Sequence, residues 1–232
     1  ELFIEAPSNN PIQTDYGILD LIPIVPSQIR ALLHSPYARN IKNVIVGGGA
    51  IPHNIEDEII KMGLNCHATY GMTETCSHVA LRKIDDNNEI YEGLPGYRFK
   101  VDNRQCLVIS APNFTFNEII TNDIVKLVDD THFKWIGRWD NVINKRKVKI
   151  FPEEVEKILS TIINVPFYIT STPDEKWGDV VTLYIESTNT NISKLTADIK
   201  KVLQNRFYIP KRIIPVEKFN RTTTGKIIRT KF

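Results

Sequence analysis

The chain has 232 residues, 42% hydrophobic and 24% charged, with 29 Lys and Arg against 27 Asp and Glu for a formal net charge of +2. This is ordinary globular usage, which excludes a disordered chain, a collagen-like repeat and a coiled coil, and the length suits one large domain or a large and a small one. The longest apolar run, Ile18 to Leu33, is interrupted by Asp20, Pro23, Pro26 and Arg30, so no membrane span is expected.

In chain order, Leu19–Val25 is a short apolar run closed by Pro26, and Pro26–His34 has helical spacing through Ile29, Leu32 and Leu33. Ile41–Val46 is a β-branched run ending in three glycines. Pro52 then suits a helix start, where its missing N–H costs nothing, and Ile55, Ile59 and Ile60 give the helix an apolar stripe. Gly63 ends that helix, and Leu64–Tyr70 reads as the next strand. Strand, helix, strand, helix, strand implies a parallel α/β sheet with crossover helices. Residues 83–136 change character: a turn at Asp85-Asp86-Asn87-Asn88 precedes short strands at Phe99–Val101, Leu107–Ser110, Ile124–Val128 and Phe133–Ile136. These predict a small antiparallel, barrel-like subdomain. From Pro152 a helix runs to Ile163, followed by strands Tyr168–Thr170 and Val180–Glu186 and a helix Ser193–Phe207 with Ser193 as its N-cap. Lys211 onward reads as extended and basic.

The charge is unevenly spread. Residues 1–136 hold 11 Lys and Arg against 17 Asp and Glu, a balance of −6, while residues 137–232 hold 18 against 10, a balance of +8. Such a reversal predicts two units, the second suited to an anionic partner or simply soluble. Three cysteines (Cys66, Cys76, Cys106) without a C-x-x-C pair fit a reducing cytoplasmic setting. The chain opens at Glu1 without a methionine or a leader and reads as a piece of a longer polypeptide.

Several short motifs fail. Gly47-Gly48-Gly49 follows a strand, but a dinucleotide fingerprint needs glycine where Pro52 stands. Thr224-Gly225-Lys226 lacks the P-loop glycine at position 220, which is Asn220, and the hydroxyl at 227, which is Ile227. Asp85-x-Asn87-x-Glu89 lacks the calcium-loop glycine, Ile90 standing there. The five histidines have no metal-ligand spacing.

Three blocks hold together: Tyr70-Gly71-Met72-Thr73-Glu74-Thr75 at a strand end; Gly137-Arg138-Trp139-Asp140-Asn141-Val142-Ile143 followed by Lys149-Ile150-Phe151-Pro152-Glu153-Glu154-Val155-Glu156; and Asn220-Arg221-Thr222-Thr223-Thr224-Gly225-Lys226-Ile227-Ile228-Arg229. In this order they resemble the adenylate-forming superfamily of acyl-CoA synthetases, peptide-synthetase adenylation domains and luciferases. Within it, the run Tyr70 to Arg82 is most similar to the o-succinylbenzoate–CoA ligase family of menaquinone biosynthesis.

The resemblance implies a ligase that uses ATP, Mg2+ and coenzyme A. A carboxylic acid attacks the α-phosphate of ATP to give an acyl-adenylate and pyrophosphate, and a thiol then displaces AMP. Charge develops on phosphorus or on a carbonyl in both steps, so cations and fixed donors are needed. By resemblance, Tyr70 stacks on adenine, Thr73 hydrogen-bonds the α-phosphate and Glu74 ligates Mg2+. Gly71, Gly49 and Ala50 border the nucleotide, and Gly48, Ser77 and His78 line the acyl pocket. Asp123 matches the ribose-binding acid, with Arg138 a second ribose or phosphate contact. Lys226 matches the catalytic lysine of adenylation, bridging the carboxylate and α-phosphate oxygens. Asp140 matches the hinge about which a lid turns between half-reactions. The implied domains are residues 1–139, the C-terminal part of a large adenylation domain with its barrel-like subdomain at about 83–136, and residues 140–232, a small α+β lid.

Each residue also has a plain structural reading: Tyr70 as a half-buried aromatic, Glu74 and Asp123 as surface or turn carboxylates, Arg138 with Asp140 as a local ion pair, Lys226 as a tail lysine. Two departures from the family stand out. Lys145-Arg146-Lys147 replaces the usual Ser-Gly-Gly, where glycines permit a tight turn during thioester formation. The upstream phosphate loop, and the first half of the domain that carries it, are absent from the chain. The alternatives are an enzyme for another acid or for a carrier protein, an inactive nucleotide-binding fragment, and a nucleic-acid binder using Lys145–Lys149; this last lacks interleaved aromatics.

Overall fold

The structure is a computed structural model that describes residues 1–86, 88–112, 118–145, 148–176, 178–222 and 226–230. Asn87 of the expected turn, Arg146 and Lys147 of the basic run, and residues 223–225 of the third block lie outside the described residues. The chain divides into two compact units. The first gathers Glu1–Asp102, Leu107–Thr121 and Lys126–Trp135; the second gathers Asn103–Cys106, Asn122–Val125 and Ile136–Phe232.

The first segments are β1 (Ile22–Ile24), α1 (Ile29–Leu33), β2 (Val44–Val46), α2 (His53–Met62) and β3 (Cys66–Gly71). β1, β2 and β3 pair in parallel, as alternating strands and helices require. α1 is shorter than its apolar spacing predicts, because Pro26–Gln28 is spent on a 3-10 turn. α2 begins just after Pro52, and its C-cap Gly63 adopts a left-handed φ of 70°, a conformation that favours glycine. Ile29, Leu32, Val44, Val46, Ile55 and Ile59 form the core between these helices and strands.

The strands that follow are β4 (His78–Lys83), β5 (Ile90–Gly93), β6 (Arg98–Val101), β7 (Cys106–Ser110), β8 (Ile119–Leu127) and β9 (His132–Arg138). They extend the same sheet, in the order β1-β2-β3-β4-β5-β9-β8-β7-β6, with a switch to antiparallel pairing at β3–β4. β4 and β5 are absent from the sequence expectation. A partly buried ion pair helps to hold β4: Arg82 meets Glu56 of α2 and lies 5.6 Å over the Tyr91 ring.

The later elements are β10 (Ile143–Lys145), β11 (Val148–Ile150), α3 (Pro152–Leu159), β12 (Phe167–Asp174), β13 (Gly178–Glu186), α4 (Ile192–Val202) and β14 (Arg212–Val216). β12 and β13 are antiparallel, and β14 joins β13 in parallel after the α4 crossover. Ile150, Val155, Leu159, Leu183 and Ile199 are almost fully buried between this sheet and its helices. The expected N-cap Ser193 is corrected to Asn191, whose side chain accepts the Lys194 N–H at 3.0 Å. α4 also ends at Val202, not Phe207. No helix among the described residues is long and apolar enough to cross a membrane.

Candidate active site

Three parallel strands end side by side. The carboxyl ends of β1, β2 and β3 open into a cavity of about 530 Å³, the place where open sheets of this kind bind ligands. Gly47 and Gly48 enter it after β2, Gly71, Met72 and Thr73 after β3, and Cys76, Ser77 and His78 on the way into β4. Of the residues predicted from sequence, Gly48, Gly71, Thr73, Ser77 and His78 therefore share one cavity. Gly49, Ala50, Tyr70 and Glu74 flank these residues in sequence but are not part of its lining. Val25, Gln28 and Thr69 also line it and were missed. Their only sequence signal is position, near the carboxyl end of a strand.

The loop between β3 and β4 is closely tied. A bulge falls between Tyr70 and Gly71, and a Cβ on Gly71 would meet the Ser77 carbonyl oxygen at 2.2 Å and His78 Cα at 2.5 Å. Only glycine admits that approach of backbone to backbone. A 3-10 turn, Thr73–Thr75, fills the loop. The buried Thr75 hydroxyl accepts the Met72 N–H at 3.0 Å and lies 2.9 and 2.6 Å from the carbonyl oxygens of Met72 and Ser77. Cys76 takes a left-handed φ of 61°, uncommon without glycine and a mark of local constraint. Ser77 Oγ and His78 Nδ1 are 3.1 Å apart, so the two expected acyl-pocket residues share a hydrogen bond.

Tyr70 is half-buried. Its ring packs edge-on against Phe133 at 5.1 Å and Tyr91 at 5.9 Å, which fixes its orientation beside the loop. Glu74 is exposed at the centre of the 3-10 turn. Among the described residues no group of three or more His, Cys, Asp or Glu could hold a metal ion. An ion held by Glu74 would therefore draw its remaining ligands from phosphate oxygens and water, a donor set that suits Mg2+. A cavity edged by glycine backbone, with a threonine hydroxyl on its wall and a carboxylate next to that threonine, fits a nucleotide phosphate with its ion.

The remaining expected residues lie in the second unit. Asp123 on β8 is 6% exposed, and its Oδ1 lies 3.5 Å from Arg138 Nη1. Arg138 Nη2 is 3.2 Å from Asp140 Oδ2, and Asn122 Nδ2 approaches the same oxygen at 3.4 Å. Burial works against the Arg138 charge, but the Asp123 and Asp140 carboxylates outweigh it and hold the guanidinium above its usual range. Trp139, between Arg138 and Asp140, receives Lys149 at 4.8 Å and Arg104 at 5.8 Å over its ring.

Lys226 is exposed on one arm of a hairpin whose arms, 220–222 and 226–228, pair antiparallel at Arg221 and Ile227. Thr222 N–H donates to the Lys226 carbonyl at 2.8 Å, Lys226 N–H donates to Thr222 Oγ1 at 3.1 Å, and Ile228 N–H donates to the Asn220 carbonyl at 2.9 Å. Glu186 accepts from the Phe219 N–H and from Arg221, each at 2.9 Å, and so anchors the hairpin's first arm to β13.

No family model matches the chain. A solved acyl-CoA synthetase (AMP-forming)/AMP-acid ligase II-like protein from Dyadobacter fermentans is 32% identical, with a TM-score of 0.56 over 96% of this chain and 67% of that one. The chain therefore belongs to the adenylate-forming superfamily, with the acyl-CoA synthetases. It is similar to the 2-succinylbenzoate–CoA ligase of Listeria monocytogenes, 26% identical over 93% of this chain and 51% of that one. Its fold is that of o-succinylbenzoate coenzyme A synthetase from Bacillus subtilis, solved with ATP and magnesium ion, at a TM-score of 0.77 and 20% identity over 90% of this chain and 50% of that one. The chain spans about half the length of the curated relatives it matches.

Proposed function

We propose that the chain is part of an AMP-forming acid–CoA ligase that activates a carboxylic acid, o-succinylbenzoate in the first instance, and passes the acyl group to coenzyme A. The observation that carries this reading is the meeting of Gly48, Gly71, Thr73, Ser77 and His78 on one cavity at the strand ends. Membership of the superfamily and the likeness to 2-succinylbenzoate–CoA ligases support it.

In this reading the acid lies against Ser77 and His78, and the α-phosphate of ATP against Thr73 and the backbone beyond Gly71. Tyr70, braced by Phe133 and Tyr91, offers its ring to adenine, while Gly49 and Ala50 border the nucleotide. Glu74 would hold Mg2+, which when bound offsets phosphate charge. Asp123 receives the ribose hydroxyls, and Arg138, kept cationic by its two carboxylate neighbours, adds a contact to ribose or phosphate. Lys226 brings an ammonium to the carboxylate and α-phosphate oxygens, where negative charge is shared during adenylation. Asp140 serves as the hinge between residues 1–139 and a lid of residues 140–232.

The test is acid-dependent pyrophosphate release by the native-length protein, over a panel of carboxylic acids that includes o-succinylbenzoate. Lys226→Ala should abolish release while leaving hydrolysis of a supplied acyl-adenylate within about threefold of wild type. Equal loss of both would refute the role of Lys226, and failure of every acid would refute the ligase.

A further inference from the structure

We propose that Arg229 is a positioning residue for adenylation, clamping the Lys226 hairpin to helix α3 and, through Glu153, to the 137–141 segment. The inference rests on the reading of Lys226 given above and adds what holds that lysine in place.

Arg229 lies three residues beyond Lys226, just past the hairpin, and is 27% exposed. Its Nη2 is 2.7 Å from Glu156 Oε2, and its Nη1 is 3.6 Å from Glu153 Oε1. The two glutamates are one helical turn apart on α3, so they present their carboxylates side by side. One planar guanidinium can span both; an ammonium, as a single point charge, cannot do so with the same geometry.

Each carboxylate then reaches a different part of the unit. Glu156 Oε1 accepts the Ile169 N–H at 2.7 Å and so ties α3 to β12. Glu153 Oε1 accepts from Asn141 Nδ2 at 2.5 Å. Its Oε2 lies only 2.5 Å from where a Cβ on Gly137 would stand. Glu153 is therefore pressed against the segment that carries Arg138 and Asp140. Sequence separations are large: Arg229 lies 73 positions beyond Glu156. The clamp thus joins the second motif block to the third.

The Lys226 hairpin has its first arm fixed by Glu186. Its second arm runs directly to Arg229. Releasing that arm leaves the lysine free to wander, and a displacement of about 1 Å at a reacting centre costs on the order of a hundredfold in rate. Among the described residues, Glu153 Oε2 and Arg229 Nη1 are buried without a hydrogen-bond partner, so loss of the cation would leave Glu153 without its counter-charge. The milder changes Arg229→Lys and Glu153→Gln are therefore the variants of choice.

In the native-length protein, acid-dependent ATP–pyrophosphate exchange reads adenylation, and CoA transfer from a supplied acyl-adenylate reads the second step. Arg229→Lys should lower the exchange kcat on the order of a hundredfold, with KM for ATP and acid little changed and CoA transfer within about threefold. Its far-UV spectrum and urea midpoint should stay near those of the parent. Glu153→Gln should show the same split at about a tenfold loss. Lys226→Ala serves as the reference. If that variant keeps exchange activity, the underlying reading fails. If it loses exchange while folded Arg229→Lys retains it, the clamp proposal alone fails. Equal loss of both half-reactions in Arg229→Lys would mark a merely structural residue and also overturn the proposal. Should Arg229→Lys not fold, the Glu153→Gln split decides.

Discussion

Gly71 is the tightest point of the β3–β4 loop, and replacing it with alanine should damage the cavity more than the fold. The added methyl would stand 2.2 Å from the Ser77 carbonyl oxygen, 2.5 Å from His78 Cα and 2.8 Å from the Ser77 carbonyl carbon, where ordinary contact begins near 3.4 Å. All three are backbone atoms, so no side chain can swing away. The two arms of the loop must part by roughly 1 Å. Overpacking of this kind costs about 1–3 kcal/mol. The same shift carries Thr73, Ser77 and His78 off their positions on the cavity, which predicts on the order of a hundredfold loss of adenylation rate per folded molecule. Gly63→Ala is the matched control. There φ is +70° and nothing lies within 4 Å of the new Cβ, so it should cost about 1–2 kcal/mol through left-handed strain and leave the rate alone. Urea denaturation and ATP–pyrophosphate exchange on both variants separate stability from geometry. A Gly71→Ala protein with parental exchange activity would refute the argument.

Two further predictions concern stability. Burial pushes Glu156 from 4.5 up to about 7, against the pull of Arg229 and the Ile169 N–H. The folded state then holds a proton that the unfolded chain releases between those values, so this group's contribution to stability falls as pH rises from about 4.5 to 7 and levels off above it, by on the order of 3 kcal/mol. Glu156→Gln should remove that slope in urea midpoints measured from pH 5 to 7.5, and an unchanged slope would assign it to other groups. Phe133→Ala should cost about 3–5 kcal/mol, because the ring is fully buried and contacts Tyr70, Tyr91 and Phe99. A loss under about 1 kcal/mol would show that the aromatic cluster collapses around the gap.

What the sequence disclosed follows from how local each signal is. α2 was legible because Pro52, the Ile55 and Ile59 stripe and Gly63 all lie within a dozen residues and agree. The start of α4 was misplaced because Asn191 and Ser193 are both good caps, and only the Lys194 N–H, 3.0 Å from Asn191 Oδ1, decides between them. β4 stayed hidden because its character comes from a partner: Arg82 sits half-buried in the strand because Glu56, 26 residues earlier on α2, is there to meet it. For the same reason the motif blocks pointed to Gly71 and Thr73 but not to Val25, Gln28 and Thr69, which reach the cavity only through the parallel register of β1, β2 and β3. Glu153 and Glu156 fall inside the expected helix, but nothing local marks them as a pair, since the cation that meets them lies more than seventy residues away.

The Thr75 hydroxyl has a consequence for how this pocket could be altered. It fastens main-chain atoms of Met72 and Ser77, so the shape of the loop does not depend on what the side chains at 77 and 78 are. Those two positions act as interchangeable fittings on a rigid bracket. If Ser77 and His78 face the acid as proposed, a library varied at those two positions, with Gly71 and Thr75 kept, should change which acids are accepted while the frame that presents them stays in register.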